Sequence, residues 1–545
     1  IDRPNTQFGL SPEETVAPRT ISQGLPDSFI DMTLDEALAI GLQDTRVLRG
    51  LNAQVLINPG SVDTSFDTAI SDSNPNFGTA AALSQFDAVL QSNLNHANND
   101  DVFNNPFVGG GATEVLQDLS IWDWSLSKTG ATGTNYSLGG FVQHDLNNSP
   151  SSLFPHSWRT LLEASVRKPL LQGNGLQFNR IAGPNARPGF RFFNGILISQ
   201  LNNEITAAEF ERGVRDYVTS VITAYWELYF AYRSFEAAKS SRDIGYETWR
   251  GVKSRFESGL PGGEADAEAQ ARDQYYQFQQ RVNEALSGSR AGTVGVLQAE
   301  ANLRRLLGLP QTSTEFIRPA DHPLEARVAY DWDQLVDEAL ACRVEVRQQL
   351  RQVRRRELEL LASRSFTLPR LDAIATYRNN GFGDDLAGTG PRFASALQDA
   401  TNRDHDEWEF GLRYNVPLGF RQGHSAVRHA ELNLQRERAV LEEQGKQIVH
   451  DLGSAYRQLD RAFNNLRFGR ERYDAAKKTV AARTAAFEED LSSIVDLLQA
   501  QRRLSEAEID YYRARAEYTG ANFDVMRESG RLLQNLSVSI AEAGM

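Results

Sequence analysis

The chain has 545 residues, of which 41% are hydrophobic and 23% charged, so it is long enough for a large folded core and is not of disordered composition. Its 57 basic and 71 acidic residues give a formal net charge of −14, which argues against wholesale binding to nucleic acid. A single cysteine excludes a disulfide within the chain, and no run of roughly 18 to 20 apolar residues predicts a membrane-spanning helix. The start of the sequence lacks the features of a secretory signal, which is therefore absent or already removed.

The sequence is similar to itself, which predicts two internal repeats. Leu34–Arg49 resembles Trp332–Arg347 at an offset of 298 residues, and Ala224-Tyr225 matches Ala455-Tyr456 at an offset of 231. The offset between matched segments decreases along the chain, which means that the first repeat contains residues that the second repeat lacks. We predict an N-terminal extended segment at 1–31, a first repeat at 32–310, a second repeat at 311–533 and a C-terminal tail at 534–545.

The first repeat opens with a helix, and strands follow at about 86–171. Apolar and hydrophilic side chains alternate there, as in Trp158–Val166, which is typical of strands with two different faces. The first repeat also carries 37 extra residues in this region. They include strand-like segments at 119–128 and 136–145, which predict an inserted hairpin at about 113–150. The sequence leaves open whether this hairpin joins the other strands.

Long helical hairpins follow the strands in both repeats. Apolar residues recur at spacings of 4 and 3 from Tyr217 to Phe235 and again from Ile448 to Leu466, a heptad seam for packing against another helix. We predict one hairpin at 198–308 with its tip at 258–264, and another at 424–533 with its tip at 489–493. Eleven extra residues near 283–293 lie inside this helical region and are close to three helical turns, so we expect the insertion to keep the same face of the helix inward.

The strands of the second repeat are predicted at about 366–418, where Trp408, Phe410 and Leu412 alternate with hydrophilic residues. This alternation is compatible both with a soluble sheet that has one solvent-exposed face and with a membrane β-barrel. Aromatic residues in the strand-like segments favour the barrel, because Trp and Tyr gather where strands cross lipid headgroups. The predicted membrane-interface aromatics are Trp122, Trp124, Trp158, Trp408, Tyr377 and Tyr414.

Four strands from one chain are too few to close a barrel with a useful bore. The chain therefore needs copies of itself. Three copies would supply twelve strands, or eighteen if the inserted hairpin joins. The same three copies would gather the long helices into a hollow cylinder.

Four short motifs occur in order along the chain: Thr33–Leu38 (TLDEAL), Lys168–Gly173 (KPLLQG), Ala299–Pro310 (AEANLRRLLGLP) and Ser493–Gln501 (SIVDLLQAQ). With this order and spacing, the chain from about Met32 to about Leu533 resembles the TolC-like outer membrane efflux protein family, the outer membrane factors. The resemblance implies an α+β membrane protein with two internal repeats. It implies a trimeric outer membrane β-barrel, with four strands per chain or six with the hairpin, continuous with a long α-helical coiled-coil barrel in the periplasm.

The resemblance further implies a function as the exit duct of a tripartite efflux or type I secretion system, passively exporting solutes or proteins. The implied partners are two further copies of the chain, a periplasmic adaptor protein, an inner-membrane transporter and outer membrane lipid. Asp496 matches a carboxylate that lines the periplasmic gate in this family, and Gln499 stands where a second acidic ring is often found. The tip residues implied to dock the adaptor are Gly259, Leu260, Asp490, Leu491 and Ser492, although Pro261 and Asp490 depart from the family's Gly-Leu-Ser/Thr-like motif.

The sequence shows no recognisable catalytic motif, and its histidines lack the spacing of a helical metal pair; His424 and His429, for example, are five residues apart. We therefore expect no enzymatic activity, cofactor, metal or nucleic-acid partner. The alternative interpretation is a structural coiled-coil scaffold or tether with a soluble antiparallel sheet. A requirement for detergent would separate the two interpretations.

Overall fold

A computed structural model describes residues 17–26, 28–43, 46–51, 54–187, 195–289, 292, 294–311, 315–489 and 491–539. The chain divides into two compact units, neither of which is contiguous in sequence. We call them the helical unit, which comprises Ile1–Asp67, Ala207–Gln348 and Leu441–Met545, and the sheet unit, which comprises Thr68–Thr206 and Gln349–Val440.

The α-helices of the described residues range from one turn to 68 residues. They are α1 Leu34–Gln43, α2 Gln54–Ile57, α3 Asp67–Asp72, α4 Thr79–Ser84, α5 Leu176–Ala182, α6 Ile196–Glu257, α7 Ala265–Ser287, α8 Val296–Leu307, α9 Trp332–Cys342, α10 Val344–Ser363, α11 Ala396–Asn402, α12 Arg421–Glu488, α13 Ile494–Glu528 and α14 Leu532–Asn535. Over the part of the chain that is described, none of these helices is both long and apolar enough to span a membrane.

The strands form two sheets. They are β1 Phe29–Met32, β2 Ala88–Val102, β3 Glu114–Thr129, β4 Asn135–Asn147, β5 His156–Pro169, β6 Phe316–Pro319, β7 Arg370–Gly383 and β8 Asp406–Asn415. In the helical unit β1 pairs with β6 in parallel. In the sheet unit six antiparallel strands follow the order β2-β3-β4-β5-β7-β8. The predicted α+β class with long helices is therefore confirmed.

The two longest helices contain no proline, which would remove a helical hydrogen bond and clash with the preceding turn. Their heptad seams are buried as predicted. In α6, Val221 and Leu228 have no exposed surface, and in α12 Leu452 has none. Each seam belongs to its own apolar cluster in the helical unit, so packing rather than helix propensity stabilises these long helices.

Tyrosines on α6 hold the small parallel sheet in place. The Tyr225 hydroxyl donates to the Met32 carbonyl at 2.9 Å, and it lies 2.8 Å from the Asp321 carboxylate. The Tyr232 hydroxyl donates to the Ile317 carbonyl at 3.1 Å. Burial raises the pKa of both phenols above the usual range, so both remain protonated donors.

A cluster of paired charges joins α6, α10 and α13 within the helical unit. Glu345 accepts from Arg215 at 2.7 Å and lies 3.3 Å from Arg343, which also donates to Glu528 at 2.7 Å. Burial alone would raise the pKa of Glu345, but hydrogen bonds and charge from Arg343 and Arg215 lower it to about 2. This carboxylate is therefore ionised in the folded protein at any pH above that value.

The expected helical continuity near 283–293 is wrong. Helix α7 ends at Ser287, where Gly288 adopts a positive φ of 91°, and α8 begins only at Val296. Residues 290, 291 and 293 lie outside the described residues. At the corresponding place in the second half, α13 runs without interruption. Glycines at 288, 292 and 295 explain the break, because glycine disfavours a helix interior and readily takes a positive φ.

The sheet unit has a separate apolar cluster, which includes Phe178 and Ile181 of α5, Ile198 of α6 and Phe366. The rings of Phe178 and Phe366 meet edge to face at 5.7 Å between centroids. This cluster packs α5 and the start of α6 beside the chain segment that leads into β7.

Candidate functional site

The six-stranded sheet has one apolar and one polar face. Directly paired residues of antiparallel strands lie on the same face, so the register assigns every side chain. One face, here called the apolar face, carries Leu90, Leu94, Trp122, Trp124, Leu126, Leu138, Trp158, Leu162, Val166, Tyr377, Trp408, Phe410, Leu412 and Tyr414. The opposite face, here called the polar face, carries mostly charged, amide and hydroxyl side chains, as the alternation predicted.

Charged side chains on the polar face pair with one another across strands. Arg378 of β7 donates to Glu163 of β5 at 2.6 Å and lies 3.4 Å from Glu409 of β8. Towards the other edge of the sheet and on the same face, Asn93 of β2 donates to Asp123 of β3 at 2.8 Å. A face with this many ionised groups needs water beside it, because transferring charges into an apolar medium is costly.

All six predicted interface aromatics lie on the apolar face. Trp122 is 46% exposed, Tyr377 40%, Trp408 82% and Tyr414 61%. Trp408 and Tyr414 are six residues apart on β8, or roughly 20 Å along the strand. Aromatic rings therefore stand near both ends of this strand, with exposed Phe410 and Leu412 between them.

Sequence reasoning missed the short helix α11, which lies in the loop between β7 and β8 and packs on the apolar face. A Cβ at Gly381 would lie 2.2 Å from the Ala396 carbonyl oxygen and 2.6 Å from Thr160 Oγ1. The carboxylate of Asp399 accepts the backbone N–H of Phe382 at 3.0 Å, just past the last residue of β7 that pairs with β8. The signal in the sequence was the Gly381-Phe382-Gly383 run, whose glycines leave space for the helix backbone.

The first predicted docking tip follows α6. Gly259 has a φ of 65°, and the Leu260 N–H donates to the Arg255 carbonyl at 3.0 Å, which closes the helix end. The Leu260 side chain is 56% exposed. In the second tip, the Leu491 N–H donates to the Ala486 carbonyl at 2.8 Å and the Leu491 side chain is 77% exposed. Each tip thus presents one leucine; Asp490 lies outside the described residues.

The predicted gate residue Asp496 lies in the first turn of α13, after the N-cap Ser493. Its side chain is 49% exposed, and its carboxylate lies 3.8 Å from Arg483 of α12. Arg483 also lies 3.4 Å from the Ser492 hydroxyl. Gln499 is exposed three residues beyond Asp496, so both side chains point to a similar side of α13. Sequence reasoning missed Arg483, which lies 13 residues away across the hairpin tip.

A network of buried hydrogen bonds connects the two helical hairpins. Gln274 of α7 is fully buried and donates to Gln501 of α13 at 3.1 Å. Gln501 donates to the Thr248 hydroxyl of α6 at 2.9 Å, and Arg502 donates to the Gln274 amide oxygen at 2.9 Å. These satisfied groups fix the register of the helices, because a shifted register would leave buried amides without partners.

The described residues contain no group of three or more His, Cys, Asp or Glu side chains arranged to hold a metal ion. The polar groups noted above instead bind one another. The arrangement consists of an extended two-faced sheet and helical hairpins with exposed tips.

Residues 335–531 match the sequence profile of the outer membrane efflux protein family. A search of curated protein sequences found no match. The resemblance to this family that the sequence motifs predicted is confirmed by this profile match. The matched proteins are transport channels rather than enzymes.

Solved structures of outer membrane channels share the fold. The chain is 11% identical to the outer membrane protein VceC from Vibrio cholerae, with a TM-score of 0.57, covering 91% of this chain and 96% of that one. The Campylobacter jejuni CmeC channel is also 11% identical, with a TM-score of 0.57 and coverage of 95% and 91%. The open state of the Neisseria gonorrhoeae MtrE channel is 14% identical, with a TM-score of 0.53 and coverage of 93% and 91%.

Proposed function

We propose that this chain is an outer membrane exit duct, because it resembles the outer membrane efflux proteins in sequence over residues 335–531 and outer membrane channels in fold over nearly its whole length. Three copies form a β-barrel in the outer membrane of a bacterium and a helical tunnel in the periplasm. The duct passively exports solutes or proteins as part of a tripartite efflux or type I secretion system. An inner-membrane transporter supplies the energy, and a periplasmic adaptor joins the two.

The two-faced sheet is the observation that carries this proposal. Trp408, Phe410, Leu412 and Tyr414 of one strand are each more than 60% exposed, which is unusual for a water-soluble surface. Lipid would cover this face. The opposite face pairs its charges in the manner of a surface next to water, so a closed sheet would present lipid outside and a hydrated lumen inside.

The predicted internal repeat supports a ring of helices. Helices α1 and α9 occupy the matched segments that open the two repeats, and α6 and α12 carry the matched heptad seams. A chain built from two similar halves places six similar helical hairpins around a threefold axis when three copies assemble.

We place Asp496 and Gln499 at the periplasmic entrance of this duct. Three copies of Asp496 near the axis would repel one another and attract cations. Arg483, at 3.8 Å, supplies a compensating positive charge within each copy. The entrance should therefore prefer cations only weakly, since the positive charge of Arg483 offsets part of the negative charge of each Asp496.

The tips are proposed as the docking points of the adaptor. The exposed side chains of Leu260 and Leu491 give each hairpin an apolar contact point, and Gly259 supports the tight turn below the first. Ser492 and Asp490 belong to the second docking tip in this proposal.

The first experiment measures the mass of the protein extracted from outer membranes, by light scattering with the detergent contribution subtracted. A detergent-dependent particle of three times 60.7 kDa that conducts ions in a planar bilayer supports the duct. A monomer or dimer that remains soluble without detergent contradicts it and favours the structural coiled-coil scaffold.

The gate is tested by the ion selectivity of the same channel. Asp496→Asn should reduce the preference for cations, whereas Arg483→Gln should increase it by removing the compensating charge. Unchanged reversal potentials in both variants would contradict the placement of this ion pair at the entrance.

A further inference from the structure

The inserted hairpin belongs to the same sheet as the other four strands. β3 pairs with β2 along the full length of β2, from Ala88 with Lys128 to Val102 with Glu114. β4 pairs with β3 on one side and with β5 on the other. The hairpin therefore separates β2 from β5, and the sheet has six strands instead of four.

The apolar and polar side chains of the hairpin lie on the same faces as those of the neighbouring strands. Its Trp122 pairs with Leu94 of β2, and Leu138 of β4 pairs with Ala164 of β5. Its polar Asp123 faces the other way and accepts from Asn93. A one-residue shift in register would move every side chain of the hairpin to the opposite face. The observed match of the faces is therefore expected of strands that belong to the barrel wall, and it is not required of a hairpin outside it.

The turn of the hairpin is fixed to the sheet unit. The Gly175 N–H donates to the Thr132 carbonyl at 3.3 Å, and the Gly130 N–H donates to the Thr134 carbonyl at 2.7 Å. Gly133 has a φ of 84°, and a Cβ there would lie 2.7 Å from the Gly173 carbonyl oxygen. The turn therefore packs against the segment that follows β5.

Among the described strands, β2 and β8 are the edges of this sheet, and each pairs with one neighbour. An open edge presents a row of N–H and C=O groups that another strand can pair with. These edges also carry the most exposed apolar side chains of the sheet, including Leu90 at 69%, Leu94 at 75% and Trp408 at 82%. Both the backbone and the side chains of the edges therefore favour a further strand.

The direction of the edge strands allows them to pair between copies of this chain. Six antiparallel strands alternate in direction, so β2 and β8 run opposite ways. β8 of one copy beside β2 of the next would therefore also be antiparallel. A contact between two different edges of identical chains is head to tail, and repetition with rotation closes it into a ring.

We propose that the β3–β4 hairpin is part of the wall of the proposed trimeric duct, so that the closed wall, in which β8 of each copy pairs with β2 of the next, contains eighteen strands. This inference rests on the proposed duct. With strands about 4.8 Å apart and tilted by about 40°, eighteen strands enclose a backbone radius of roughly 18 Å, and twelve strands roughly 12 Å. The hairpin widens the outer end of the duct by about half, so that end admits hydrated, bulky cargo and the size limit lies elsewhere.

The test uses thiol cross-linking in the full-length protein assembled in outer membranes, with Cys342→Ser as background. Leu90→Cys on β2 is combined in turn with Leu126→Cys on β3, Leu412→Cys on β8 or Leu162→Cys on β5, and treated with a short bis-maleimide. Leu90→Cys alone is the control, because it leaves one thiol in each copy, and six strand spacings separate these thiols in neighbouring copies of the proposed wall.

The expected result is a cross-link within one copy for the β2–β3 pair and a cross-link between copies for the β2–β8 pair, each several-fold above the control. A cross-link within one copy between β2 and β5 would overturn the inference, because it requires four strands per copy with the hairpin outside the wall. Absence of the β2–β8 cross-link in a particle of trimeric mass would also overturn it. A monomeric mass would instead show that the proposed duct itself has failed.

Discussion

Replacement of Glu345 by glutamine tests the charge cluster of the helical unit. The substitution keeps the shape of the side chain but removes the charge that faces Arg215 and Arg343. The pKa of Glu345 is lowered from 4.5 to about 2, and the side chain is only 21% exposed. At about 1.4 kcal/mol per pKa unit, the charged form contributes about 3 kcal/mol to stability.

This contribution depends on pH in a defined direction. Because the pKa of Glu345 is lower in the folded state, the stabilisation is fully present above the unfolded value of 4.5. It is lost as the pH falls through the folded value of about 2. The glutamine variant should therefore unfold at lower urea concentration than the unmodified protein at neutral pH, and the two midpoints should converge between about pH 4.5 and 2.

Urea unfolding followed by far-ultraviolet circular dichroism measures this difference without added salt, which would screen the charges. Glu442→Gln is the matched control, because Glu442 pairs with Lys446 at 2.9 Å but both side chains are more than half exposed. The control should change the midpoint little. An equal shift in both variants, or a difference for Glu345→Gln that persists unchanged at the lowest pH, would refute the reasoning.

Three other substitutions test the packing. Leu452→Ala should lower the free energy of unfolding by about 2 to 5 kcal/mol, since Leu452 is fully buried, whereas Leu432→Ala on the same helix, 49% exposed, should cost far less in urea unfolding. Tyr225→Phe should cost about 1 to 2 kcal/mol by the same measurement, because it removes a buried hydrogen bond. Gly381→Ala should displace α11 and speed trypsin cleavage of the β7–β8 loop. Gly411→Ala, where a Cβ meets open space, should leave that rate unchanged, and equal rates in both variants would contradict the seating of α11.

The long helices could be predicted from sequence because their packing pattern is local. A heptad seam such as Ile448 to Leu466 contains its own periodicity, and the absence of proline allows one helix to continue through it. The break between α7 and α8 was missed because the prediction considered the length of the insertion and not its glycines. Gly288 ends the helix through a backbone conformation that a residue count does not reveal.

The faces of the sheet were also predictable, because alternation by twos assigns each side chain to one side or the other. The order of the strands was not. Trp122 shows by its alternation that it faces the same way as its apolar neighbours along β3, but it does not show that β2 and β4 lie on either side. That choice depends on backbone pairing over distances of tens of residues, which no local pattern encodes.

Part of the candidate site could likewise be predicted from the sequence, and part required the tertiary structure. From the sequence alone it could be predicted that Asp496 follows the second tip, that aromatic residues lie in the strands and that each tip carries a leucine. The tertiary structure was needed to show that Arg483 lies beside Asp496 and that α11 packs against Gly381. It was also needed to show that the inserted hairpin lies between β2 and β5. The physical reason is that periodicity fixes which face of a helix or strand is apolar, whereas the partner of that face is chosen by packing and hydrogen bonding between segments far apart in the chain.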